Sequence, residues 1–268
     1  MTREPATARR SPAAWETVLV GGHESHDGRA IGGLRGARVT AVGRELYALT
    51  RRPAVVVPMT FGRDAELASQ IAQVLRWNGR GREPGELLLA PPLGTTAHLV
   101  GWLRAAAGRP AVPDSPAPSV TGSTIESTGG PARDPTAAGP WAVLAVLVAA
   151  PSASAQEDAE LYRVAHLVRR NSGLRWVEVA LMGGQPDVAE AVARCHLLGA
   201  RHVRVVPASF VRPDLPEGVS WAGPLLAPAA LRELVGRRVE TARDRWTRYA
   251  DDGLAAVSAG HHHHDHSH

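Results

Sequence analysis

Short apolar runs alternate with longer stretches of helical period along this chain of 268 residues, and that alternation limits it to parallel α/β units. The runs are Thr17 to Gly21, Ala54-Val-Val-Val-Pro58, Glu86 to Ala90, Trp141 to Val148, Trp176 to Leu181 and His202 to Val206. Each is short enough for a strand, and the β-branched ones suit a strand buried on both faces. Between them, Val39, Val42, Leu46 and Leu49 give helical spacing over about Arg35 to Thr50. Leu67, Ile71, Val74 and Leu75 do the same over Ala65 to Trp77, with Asp64 placed to cap that helix. Further helices are predicted over Thr95 to Ala106, Gln156 to Asn171, Pro186 to Leu198 and Pro228 to about Arg248. Pro186 suits a first helical turn and Gly199 a C-terminal cap.

From Gly108 to Gly139 the periodicity gives way to Pro, Gly, Ser and Thr, which reads as a linker. The segments on either side of it are alike. Val55-Val-Val-Pro58 is echoed by Val203-Arg-Val-Val-Pro207, and Leu88 to Val100 by Ala222 to Leu231. The expected organisation is a disordered N-terminus (1–14), an N-terminal lobe (15–107), the linker (108–139), a C-terminal lobe (140–250) and a His-rich tail (251–268). Two similar lobes, each a parallel sheet flanked by helices, would place a ligand cleft between their strand ends.

Composition narrows the function. All 30 basic residues are Arg, and the formal charge is +4. The arginines are dispersed with no basic run, and aromatic residues make up only 4%, so stacking platforms are scarce and compositional bias explains the basicity better than a nucleic-acid role. No apolar stretch approaches the ~18 residues of a membrane span. The polar Met1-Thr-Arg-Glu-Pro start lacks a secretory signal, and the lone Cys195 rules out an intrachain disulfide; both point to the cytoplasm. No Gly-x-x-x-x-Gly-Lys loop occurs, so no nucleotide is expected.

Most of the chemistry is concentrated in Thr17-Val-Leu-Val-Gly-Gly-His23-Glu24-Ser25-His26-Asp27. A strand enters a glycine turn and then offers two imidazoles and two carboxylates, ligand types suited to a divalent transition metal. The carboxyl end of a strand is also where open α/β sheets bind ligands. A polar loop without metal is the alternative.

The order of these motifs resembles the class II tetrapyrrole chelatases, specifically the CbiX-like sirohydrochlorin chelatases, from about Trp15 to Arg248. Val20-Gly-Gly-His23 stands where that family has a His-Gly-Ser type strand end. Val179 to Val192, Gly199 to Pro207 and Gly223-Pro-Leu-Leu resemble its later strands. The sequence departs from the family at Pro58 to Asp64, which lacks a Gly-x-His element, and at Val148 to Ser152, which lacks a strand-end His.

The resemblance implies ATP-independent insertion of Co2+ or Fe2+, with Ni2+ a further candidate, into sirohydrochlorin. The metal is then a substrate, and the pathway is cobalamin or sirohaem synthesis. It implies His23 as ligand or base, with Glu24 and His26 sharing metal and proton handling. Asp27 is either a supporting group or a helix cap. Arg29, Arg63 and Arg212 follow strand ends and could meet the substrate's carboxylates, or stand as surface charges. His98 could face the substrate or lie on a helix at a domain edge, and Phe61 and Phe210 could pack on the macrocycle or in the core. The C-terminal His261, His262, His263, His264, His266 and His268 form a tract interrupted by Asp265 and Ser267, either a tag or a native tail that gathers metal. The alternative function is a metal-binding protein or metallochaperone without turnover.

Overall fold

The computed structural model describes residues 14–109 and 144–255. The expected N-terminal segment, most of the linker and the His-rich tract lie outside these residues. In chain order the elements are β1 (Glu16–Gly21), β2 (Ala37–Ala41), α1 (Arg44–Leu49), β3 (Ala54–Met59), α2 (Leu67–Asn78), β4 (Leu87–Leu89) and α3 (Thr96–Ala107). Then follow β5 (Leu144–Pro151), α4 (Ala155–Ser172), β6 (Trp176–Met182), α5 (Val188–Leu197), β7 (His202–Pro207), β8 (Ser220–Trp221) and α6 (Pro228–Tyr249).

The strands form two parallel sheets with one topology, β2-β1-β3-β4 and β6-β5-β7-β8. In the first sheet the period-2 alternation of strand side chains decides which helix covers which face. Val18, Val20, Ala54, Val56, Leu87 and Leu89 pack with Leu46 of α1 and Leu67, Ile71 and Leu75 of α2. The intervening Leu19, Val55, Val57 and Leu88 are equally buried, on the side that α6 covers with Val235, Val239, Ala242 and Trp246. In the second sheet Ala145, Leu147, Ala149, Val203 and Val205 meet Val188, Ala191, Val192 and Cys195 of α5, while α3 and α4 pack on the sheet as well. The expected architecture, two similar parallel sheets flanked by helices, is the one present.

The helices divide between the two compact units differently from the expected boundaries. Of the described residues, one unit comprises 14–94 and 228–255, and the other 95–109 and 144–227. Thus α3, which follows the first sheet in sequence, belongs with the second, and α6 belongs with the first. Arginine contacts to carbonyls fix both. Arg204 of β7 donates to Ala107 O (2.9 Å) and Arg109 O (2.6 Å) at the end of α3. Arg238 of α6 donates to Leu93 O (3.0 Å), after β4, and Arg245 to Leu89 O (2.6 Å), at the end of β4. Each guanidinium satisfies carbonyls that the end of a helix or strand leaves open.

Two local readings also change. The helix expected from Arg35 to Thr50 is instead the strand β2 and the six-residue α1, separated by Gly43 at φ 129°. Ala37-Arg-Val-Thr-Ala pairs with β1, and its alternation outweighs a helical spacing built on the same valine. Pro186 does not open α5. It precedes the N-cap Asp187, whose side chain accepts from Glu190 N in a capping box.

Candidate functional site

In a 2-1-3-4 parallel sheet the strand order reverses between β1 and β3, and the carboxyl ends of those two strands flank the usual ligand position. His23 follows β1 directly, in a single 3-10 turn (His23–Ser25), and Asp64 lies in the loop after β3. His23 Nδ1 is 3.2 Å from Asp64 Oδ2, and both side chains are largely buried, at 18% and 9% exposure. The other oxygen of Asp64 accepts from Leu67 N, the first residue of α2, at 3.0 Å; the N-cap itself is Glu66 rather than the expected Asp64, whose carboxylate meets an open amide of the helix start and also holds the imidazole. With Nδ1–H donated to Asp64, the neutral ring carries its lone pair on Nε2.

That approach requires glycine at position 22. A Cβ there would lie 2.1 Å from Asp64 Oδ2, although the backbone, at φ −121°, would accept any residue. Gly21 is equally constrained, since a Cβ would lie 2.2 Å from Ser25 Oγ and 2.4 Å from Gly28 N. The Gly-Gly pair lets the 3-10 turn fold tightly against the β3 loop.

The loop after β3 is held by Glu24. This residue is 0% exposed, and its carboxylate accepts four hydrogen bonds. Oε1 accepts from Thr60 Oγ1 (2.5 Å), Arg63 N (2.8 Å) and Asp64 N (3.0 Å), and Oε2 from Phe61 N (2.7 Å). The three amides form an anion-binding nest, here occupied by the chain's own carboxylate. Sequence reading gave Glu24 a share of metal and proton handling. In the structure its carboxylate is fully engaged by the loop that carries Asp64.

The remaining site residues are placed as follows. His26 and Asp27 are exposed with left-handed backbones (φ 48° and 58°), and Asp27 lies 3.8 Å from Arg29, itself exposed. Neither joins the His23–Asp64 pair as an observed contact. Arg63 and Phe61 are only 2% exposed, which removes Arg63 from the surface and puts Phe61 in the core. Phe210 is half-buried, and Arg212 is exposed, stacked 4.4 Å over Trp221. His98 is exposed in the first turn of α3, hence in the second unit, with Nδ1 2.8 Å from Thr95 Oγ1 and its ring against Trp102. The six histidines of the tail lie outside the described residues.

Asp64 is the member that sequence reading missed as a functional group. Val20 faces Pro58 across the first sheet and Ala149 faces Pro207 across the second, so His23 and Glu24 correspond to Ser152 and Ala153. Thr60-Phe61 likewise corresponds to Ser209-Phe210. In the second unit Ser152 Oγ donates to Asp158 Oδ2 (2.7 Å), and Ser209 bonds locally to Val211. Neither an imidazole nor a counterpart of Glu24 stands at those strand ends. Among the described residues, the imidazole–carboxylate pair stands at the first switch point, and the second carries the Ser152–Asp158 contact in its place.

The class so defined is a pair of doubly wound parallel α/β units with one imidazole–carboxylate pair at a strand-order reversal. No protein-family model matches the chain, and no curated protein matches it in sequence. Among solved structures it is similar to the sirohydrochlorin chelatase SirB from Bacillus subtilis subspecies spizizenii in complex with cobalt. The identity is 12%, over 88% of this chain and 99% of that one, with a TM-score of 0.43. It is also similar to SirB from Bacillus subtilis with Fe3+, at 12% identity over 90% and 98% of the two chains and a TM-score of 0.45. Likenesses of that degree do not assign residues.

Proposed function

We propose that this protein inserts a divalent metal, Co2+ or Fe2+, into sirohydrochlorin without ATP, using His23 oriented by Asp64. The observation that carries the reading is the 3.2 Å His23–Asp64 pair beside the strand-order reversal of the first sheet. The order of motifs from Trp15 to Arg248, which resembles that of the CbiX-like chelatases, supplies the substrate class.

Insertion requires the metal to shed water and two pyrrole nitrogens to lose protons. Nε2 of His23 either takes a place vacated by water on the entering metal or accepts a pyrrole proton. In the second case the imidazolium is stabilised by Asp64 and returns its proton to solvent. A carboxylate behind the ring fixes its tautomer and raises its basicity in either case. Glu24 holds the β3 loop so that Asp64 reaches the ring. Arg29, exposed in the same loop as His23, is a partner for a substrate carboxylate. A native His-rich tail would raise local metal concentration through several imidazoles on one segment. No helix among the described residues is long and apolar enough to cross a membrane.

A metal-binding protein without turnover is the second reading, favoured by Ser152 and Ala153 at the positions matching His23 and Glu24. Protein, sirohydrochlorin and Co2+ mixed anaerobically, with the visible spectrum followed in time, separate the two. Acceleration above the protein-free rate supports insertion. Cobalt binding by calorimetry without acceleration supports the second reading.

A further inference from the structure

We propose that the first unit carries a second binding site, for a small oxyanion, at the end of its sheet opposite His23. A cavity of about 270 Å3 opens there between α6 and the loop leading into β2, bordered by Thr17 and Ala37 near the beginnings of β1 and β2. Its volume is close to the lower range of small-molecule sites, roughly 300 Å3. Three guanidiniums line it, Arg35, Arg232 and Arg243, against one carboxylate, Glu240. Leu34, Val235 and Val239 supply its apolar part.

Charge pairing on α6 separates this cavity from an ordinary solvated face. Arg237 pairs with Glu233, Arg248 with Asp244 and Arg245 with Asp251. Arg232 and Arg243 make no ion pair among the described residues, although Glu240 precedes Arg243 by a single turn. The Nε of Arg243 is buried and has no hydrogen-bond partner, and its guanidinium lies 5.6 Å over the ring of Trp15. A buried N–H left unsatisfied is costly unless an acceptor reaches it, and the planar fork of a half-buried guanidinium suits carboxylate or phosphate oxygens.

Gly236 is the second observation. It sits inside a 22-residue helix, where glycine weakens the helix, yet a Cβ built there meets nothing within 4 Å. No packing contact excludes a side chain at this exposed position, which borders the cavity. The ligand that fits is small, carries a carboxylate or phosphate, and has few other polar groups. Because the site uses neither His23 nor Asp64, it stands apart from the insertion reading.

The test uses the full chain, titrated by calorimetry with inorganic phosphate and separately with succinate, at ionic strength held constant with sodium chloride. Saturable one-to-one binding of either probe is expected, with a change in tryptophan fluorescence from Trp15. Phosphate alone would identify a tetrahedral ligand, succinate alone a carboxylate, and both the shared chemistry. Gly236→Leu fills the space and Arg243→Met removes the fork; each should weaken binding about tenfold or more with the far-UV circular dichroism unchanged. No saturable binding of either probe, or wild-type affinity in either variant, overturns the proposal.

Discussion

Replacing Glu24 should show that a buried carboxylate, rather than a surface ligand cluster, sets the site. In Glu24→Ala, the buried amides of Phe61 and Arg63, the part-buried amide of Asp64 and the Thr60 hydroxyl lose this acceptor together, Asp64 N keeping only a 3.3 Å contact to Thr60 Oγ1. Orphaned buried donors cost about 1–3 kcal/mol each, and water entering the vacated volume recovers part of that, leaving a loss of about 3–5 kcal/mol. Glu24→Gln keeps the shape and removes the charge. Its amide oxygen can occupy the Oε1 position, but its NH2 then faces the N–H of Phe61, where the carboxylate accepted at 2.7 Å. One donor-to-donor contact and three weakened charge-assisted bonds give about 2–4 kcal/mol. Against a usual total of about 5–15 kcal/mol, both variants should unfold at clearly lower urea concentration. Urea titration followed by circular dichroism measures this, and cobalt calorimetry on the folded variant should show weakened binding because the Asp64 loop shifts. A Glu24→Gln protein within about 1 kcal/mol of wild type would refute the reasoning.

Other perturbations separate the groups around the ring. Asp64→Asn can still accept from Leu67 N through its side-chain oxygen but turns an NH2 toward His23 Nδ1, forcing the other tautomer; calorimetry should show cobalt affinity about 10–100-fold lower. Gly22→Ala places a methyl 2.1 Å from Asp64 Oδ2 and should weaken cobalt binding similarly, while Gly36→Ala, where nothing lies within 4 Å, should leave it unchanged apart from backbone strain. The Cys195 thiol is pushed up to about 11, chiefly by burial and then by Glu178. It should therefore resist iodoacetamide at pH 8 in the folded protein and react once unfolded, as mass spectrometry would record. The same shift makes folding less favourable as pH rises from the usual thiol range, near 8.5, toward 11, because only the unfolded chain ionises there. Removing residues 256–268 should slow cobalt insertion at scarce metal and leave it unchanged at saturating metal.

Much of the fold was legible because burial on both faces writes a continuous apolar run, as in Ala54 to Pro58 and Leu144 to Ala150. Long amphipathic helices such as α4 and α6 were equally plain. The five residues of β2 were not, since only Thr40 among them is fully buried and the valines nearby also fit a helical spacing. The two-residue β8 left no periodic trace. Helix membership was hidden for a different reason. Whether α3 follows its own sheet or joins the other depends on tertiary contacts such as Arg204 to Ala107 O, which have no local signature.

At the site, strand, glycine turn and imidazole marked His23 correctly as the residue at the sheet's end. Glu24 looked like a ligand because sequence does not record burial, and its four donors come from residues 36 to 40 positions later. His26 and Asp27 added to the apparent cluster, but left-handed backbones carry them along an exposed turn. Asp64 was visible only as a helix cap, because the second use of its carboxylate depends on the close approach that Gly22 permits.

The most direct test compares initial rates of cobalt insertion into sirohydrochlorin for wild type, His23→Ala and His26→Ala under identical anaerobic conditions. With His23 acting at the reacting centre, its removal should cost about 100-fold or more and bring the rate to that of the protein-free mixture. His26→Ala should remain within about twofold of wild type, as expected for an exposed side chain outside the pair. Full activity in His23→Ala, or a loss confined to His26→Ala, would contradict the account.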